Sequence, residues 1–150
     1  MEIFTNLTNE IPEGSRDLGV LSMRFEKRQK TRQKTALDSG LVIGLMLPRG
    51  TLIRGGDLLI AESGKFIRVS SKPEWVSCVQ STDPNNLAKV AYHLGNRHVW
   101  VQIGDGWLSY LLDHVLDHMV EGLGEEPVHE LRPFEPEAGA YDQQGLHHDH

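Results

Sequence analysis

Through residue 72 the chain alternates short apolar or β-branched runs with clusters of turn-forming residues. Leu18 to Phe25 precedes the turn signal Asp38-Ser39-Gly40, and Leu41 to Leu47 is followed by Pro48-Arg49-Gly50. Asp57 to Ala61 follows Gly55-Gly56, and Lys65 to Ser70 follows Ser63-Gly64. Short runs at this spacing predict a small all-β domain over residues 1–72. Side chains alternate along a strand, so Arg28, Lys30, Arg32 and Lys34, at every second position, are expected on one strand face. That face is either solvated or a dock for an acidic partner.

From Glu74 the period changes. Trp75 to Gln80 reads as a strand, and Asp83-Pro84 supplies an N-cap and a proline at the first helical position. The helix they open carries Leu87, Val90, Ala91 and Leu94 on one face, with Gly95 as its stop. His98 to Ile103 alternates like a strand, Gly104-Asp105-Gly106 forms a hairpin turn, and Trp107 to Leu112 returns. Asp113 caps a second helix with its stripe at Leu116, Met119, Val120 and Leu123, and Val128 to Leu131 supplies a final strand. The order βαββαβ over residues 73–138 is the ferredoxin-like arrangement, which makes the chain an α+β protein. After Phe134 the composition shifts to Pro, Gly, Gln and His, and residues 139–150 are expected to form a disordered tail.

Composition narrows the function classes. At 150 residues and 39% hydrophobic content, the chain can bury a modest core. No apolar run approaches the roughly 18 residues of a membrane span, and the first ten residues lack the pattern of a signal peptide, so a soluble, cytoplasmic protein is expected. The single Cys78 excludes an intrachain disulfide and any CxxC motif, and is expected to be buried. The net charge of -6 is unevenly spread: six of the fifteen basic residues fall between Arg24 and Lys34, interrupted by Glu26. Without aromatic interleaving or overall basicity, this stripe does not describe a nucleic-acid binder.

Candidate chemistry lies at the other end. None of the eight histidines occurs before His93, and ten carboxylates fall between Asp113 and Asp149. Imidazole and carboxylate are the donors of Zn, Ni, Cu and Fe sites, so metal handling in the second half is the first reading. His93 and His98 flank a short turn and are able to converge. His114 and His118 stand one helical turn apart, with Asp113 and Asp117 as ligands or as acceptors that orient an imidazole. His147, His148 and His150 make a flexible chelating segment. His114-Val115-Leu116-Asp117-His118 also differs by one methylene from the HxxEH of inverted zinc proteases. That alternative needs a water-excluding cleft for which a small βαββαβ unit has little room.

Several segments carry a resemblance. Tyr92-His93-Leu94-Gly95-Asn96-Arg97-His98-Val99, Asp113-His114-Val115-Leu116, Gly122-Leu123-Gly124 and Phe134-Glu135-Pro136-Glu137-Ala138-Gly139-Ala140-Tyr141 resemble the UreE family of urease accessory proteins. So do Leu45-Met46-Leu47-Pro48-Arg49-Gly50 and Gly55-Gly56-Asp57 in the first half. The resemblance implies a nickel metallochaperone, not an enzyme. It further implies a homodimer whose N-terminal domain resembles the peptide-binding domain of DnaJ-type chaperones. His98 matches the central ligand, given by both subunits at a two-fold axis, and His93 an accessory one. A peripheral His-Asp-His set falls on Leu112, Asp113 and His114. Since Leu112 carries no donor, His114 is left with Asp113 or His118. Nickel is then the cargo, with zinc or copper able to occupy the same sites. The implied partners are the urease apoprotein and other accessory proteins, including a GTPase, because the chain has no phosphate-binding loop of its own. A storage or buffering protein remains the other metal-based reading.

Overall fold

The computed structural model describes residues 1–139. The chain separates into two compact units, Met1–Lys72 and Pro73–His150. No helix among the described residues is long and apolar enough to cross a membrane.

The first unit contains β1 (Ile3–Thr8), β2 (Asp17–Met23), α1 (Phe25–Arg28), β3 (Arg32–Ala36), β4 (Val42–Met46), β5 (Leu58–Ala61) and β6 (Phe66–Ser71). Its strands form one sheet in the order β2-β6-β5-β1-β4-β3. Phe4, Leu21, Ile43, Leu45, Leu59, Ile67 and Val69 fill its core. Central β1, parallel to β4 and antiparallel to β5, has no counterpart in the sequence reading. Its Thr5, Asn6 and Thr8 dilute the apolar signal, and Phe4 alone among its residues is fully buried.

The basic stripe departs from expectation. The strand ends at Met23, and the amides of Lys27 and Arg28 donate to the Arg24 carbonyl, closing a single helical turn. That turn swings Arg28 inward, where it is fully buried. Its Nε donates to the Met23 carbonyl at 3.2 Å and its Nη1 to the Ile53 carbonyl at 3.4 Å, with the guanidinium 5.5 Å from the Phe25 ring centre. Lys30, Arg32 and Lys34 stay exposed, Arg32 and Lys34 sharing a face of β3.

The second unit runs β7 (Glu74–Gln80), α2 (Pro84–Asn96), β8 (Gln102–Gly104), β9 (Trp107–Leu111), α3 (His114–Gly122) and β10 (Val128–Arg132). All neighbours in the sheet β10-β7-β9-β8 pair antiparallel, which is the expected ferredoxin-like arrangement. Val79, Leu108 and Tyr110 from the sheet bury Val90 and Leu94 of α2 and Leu116 and Val120 of α3. Asp83 caps α2 by accepting from the amides of Asn85 and Asn86. Cys78 is buried, and burial, followed by the charge of Glu130, pushes its thiol above the ordinary value. Gly95 does not end α2, which continues to Asn96. The expected strand from His98 contracts to Gln102–Gly104, because the amides of His98 and Val99 fold back onto the carbonyls of Gly95 and Leu94.

Gly104 is placed opposite Trp107 by the hairpin register, and a Cβ there would enter the space of the indole. The indole also carries the Arg132 guanidinium 4.5 Å above its ring. Gly104→Ala must therefore displace Trp107 and is expected to cost about 1–3 kcal/mol, the usual penalty of overpacking. Denaturant unfolding with a shifted indole emission maximum checks this; unchanged stability and emission would refute it.

Candidate metal centre

His93 lies in the last turn of α2, exposed, with the Tyr92 ring edge-on at 5.2 Å. His98 stands two residues beyond the helix and is the one non-glycine residue with positive φ, 60°, among the described residues. A β-carbon in this region is disfavoured by about 1–2 kcal/mol, although histidine enters it more readily than most residues. The turn presents an exposed imidazole on the rim of a groove of about 440 Å³ lined also by Gly95, Trp100, Val101, Ile103 and Glu137. Residues after β10 form one wall, fixed by the Glu135 amide on Gln102 Oε1 at 2.9 Å and the Glu137 amide on the Val101 carbonyl at 2.8 Å. Trp100 and Ile103, 37% and 54% exposed, leave apolar surface beside the imidazole.

The start of α3 holds a second set. Asp113 Oδ1 accepts from the amides of Val115 at 2.8 Å and Leu116 at 3.1 Å, so this carboxylate caps the helix. His114 and His118 are exposed, and His118 Nδ1 lies 3.8 Å from Glu121. Asp117 turns the other way. It is 7% exposed and accepts from the Tyr110 hydroxyl at 2.7 Å and from His129 Nε2 at 2.8 Å. Burial alone would raise its pKa, but the hydrogen bonds from Tyr110 and His129 outweigh burial and hold the carboxyl below the ordinary aspartate value. The Tyr110 hydroxyl is pushed far above its usual range, first by burial and then by its bond to Asp117.

This geometry removes the hydrolase alternative. A general base must reach a metal-bound water, whereas Asp117 points into the protein between two hydrogen-bond donors. His129 had no role in the sequence reading, yet the structure sets its ring 6.1 Å from that of His114. Strand alternation puts His129 on the same face as Leu131, but only the pairing of β10 with β7 reveals what covers that face. His93 and His98 flank one turn, while His114, Asp113 and His118 cluster on another element. Among the described residues no three His, Cys, Asp or Glu side chains are arranged to hold a metal ion. His147, His148 and His150 fall outside the described residues.

Comparison with known proteins agrees with this division. Residues 2–72 match the UreE urease accessory protein N-terminal domain, and residues 74–150 match its C-terminal domain. The chain is 49% identical over 135 residues to the urease accessory protein UreE of Alkalilimnicola ehrlichii, covering 90% of this chain and 83% of the relative. It is 50% identical over 136 residues to the UreE of Pseudomonas putida, covering 90% and 84%. For the UreE of Proteus mirabilis the figures are 49% over 121 residues, covering 81% and 75%. Both domains and their order are thus matched, and the chain belongs to the UreE family of urease accessory proteins, which are chaperones and not enzymes.

Proposed function

We propose that the chain is a cytoplasmic nickel carrier for urease maturation, acting as a homodimer in which His98 of each copy grips one ion. The observation that carries this reading is the placement of His98 on an exposed left-handed turn beside Trp100 and Ile103, in a chain whose described residues gather no three-donor site. A residue near a two-fold axis meets its own copy, so two protomers supply two imidazoles without either folding around the ion. Apolar surface around the imidazole gives the copies something to bury. His93 then serves as an accessory donor. His114, with Asp113 through the oxygen not committed to the cap, or with His118, forms a weaker peripheral site, and His147, His148 and His150 collect ions at low affinity.

Such ligands suit delivery. His93, His98, His114 and His118 lie at the surface, and leave coordination positions for water or for a recipient's donors. Zinc can occupy the same donors, and by the Irving–Williams order copper binds nitrogen donors more tightly than nickel, so selectivity comes from supply and from the partners. Those partners are the urease apoprotein and the other accessory proteins, including the GTPase.

Calorimetric titration of the full chain with NiCl₂ tests this. His98→Ala is expected to abolish the tightest site while circular dichroism and the light-scattering mass stay unchanged, because an exposed imidazole contributes little to the fold. An unaltered high-affinity site in the variant would sink the assignment.

A further inference from the structure

We infer that the peripheral site at His114 takes its second imidazole from His129, in place of Asp113 or His118, and so forms a two-imidazole site for a borderline divalent cation at the surface where β10 passes the first turn of α3. The inference rests on the carrier reading for the nature of the cargo, and on this chain's own geometry for the site. The two rings stand 6.1 Å apart between centres, with planes inclined at 66°. With metal–nitrogen bonds of about 2.0–2.1 Å, two imidazoles on one ion have centres roughly 4.5 Å apart at a right angle and about 6.4 Å apart when opposed. The observed spacing falls inside that range, and the exposed His114 is free of packing that would stop it turning toward the angle an ion requires.

The orientation of His129 is set from behind. The Asp117 side chain takes a hydrogen bond on one oxygen from the Tyr110 hydroxyl and on the other from His129 Nε2. The proton of a neutral His129 thus sits on Nε2, and the lone pair falls on Nδ1. A carboxylate behind a ligating histidine fixes the tautomer and makes the ring a better donor. Here that carboxylate is 7% exposed and Tyr110 is fully buried, which anchors the support in β9 and α3, while β10 carries the ligand. The His129 side chain itself remains 40% exposed, so an ion can reach it. Asp117, four residues from Asp113, is then a positioning residue and not a ligand. Water completes the coordination, which keeps the site exchangeable and selects cations that accept nitrogen and oxygen donors.

The test uses the full chain with His147, His148 and His150 replaced by alanine, so that the tail does not obscure the count. In ¹⁵N spectra of the imidazoles, zinc as a diamagnetic probe is expected to shift His129 Nδ1 and to leave Nε2 protonated against Asp117. In calorimetry with NiCl₂, His129→Ala is expected to lose one site per chain and to retain the site that His98→Ala removes. Asp117→Asn is expected to weaken the second site by about 10–100-fold, since the amide no longer demands a proton on Nε2. His129 signals unmoved at saturating zinc, or an unchanged ion count in folded His129→Ala, would overturn the proposal. Loss of a site with His129→Ala but not with His98→Ala would support it and sink the carrier reading's central ligand instead.

Discussion

Arg28→Ala is expected to destabilise the protein by about 3 kcal/mol or more. Three losses coincide. The Ile53 carbonyl loses the Nη1 hydrogen, and leaving a buried acceptor unsatisfied costs about 1–3 kcal/mol, while the Met23 carbonyl loses the Nε hydrogen and keeps that of the Lys72 amide. The guanidinium leaves the Phe25 ring, and truncating a fully buried side chain opens a cavity in a close-packed interior. The Ile53 amide in turn donates to the Arg28 carbonyl, so both ends of this residue tie α1 to the chain before β5. Arg28→Lys keeps the charge but not the fork of donors, and is expected to fall between. Tryptophan emission cannot report the change directly, because Trp75, Trp100 and Trp107 all lie in the second unit. Far-UV circular dichroism through a urea titration can, and a loss below about 1 kcal/mol would contradict the structural role of Arg28.

The same residue marks where sequence reasoning fails. Alternation assigns every second residue to one face, and an arginine in a basic stripe is placed in water by default. A four-residue helix is too short to display its own period, so nothing local announces that Arg28 turns inward. The second unit was far more legible, because its signals are local. Asp83-Pro84 opens α2, Asp113 caps α3 and Asp105-Gly106 turns the hairpin, each through a side chain within a few residues of the backbone it governs. His98 was legible as chemistry and not as conformation, since an imidazole announces a ligand but not a left-handed turn. His129 was not legible at all. Its partner Asp117 stands twelve residues earlier and is itself held by Tyr110, nineteen residues before His129, and sheet pairing brings the three together.

Asp117→Ala is expected to cost about 3 kcal/mol at neutral pH in the presence of a chelator, and the cost is expected to shrink in acid. Removing the carboxylate leaves the fully buried Tyr110 hydroxyl without that acceptor and frees His129 from α3, and each lost bond involves a charged group. The direction with pH follows from the carboxyl itself. Its folded pKa is held below the unfolded value of about 3.9, so the ionised form contributes stability that is fully present above that value and is lost as pH falls through the folded pKa. Wild type and variant are therefore expected to differ most above about pH 5 and to converge progressively below about pH 4. Asp117→Asn separates shape from charge: it fills the space, but its stability should vary less with acid than that of the wild type. Urea midpoints measured from pH 3 to 7 decide the matter. A gap between wild type and variant that stayed constant across that range would show that Asp117 holds α3 by packing alone, and that the Tyr110–Asp117–His129 chain does not depend on an ionised carboxylate.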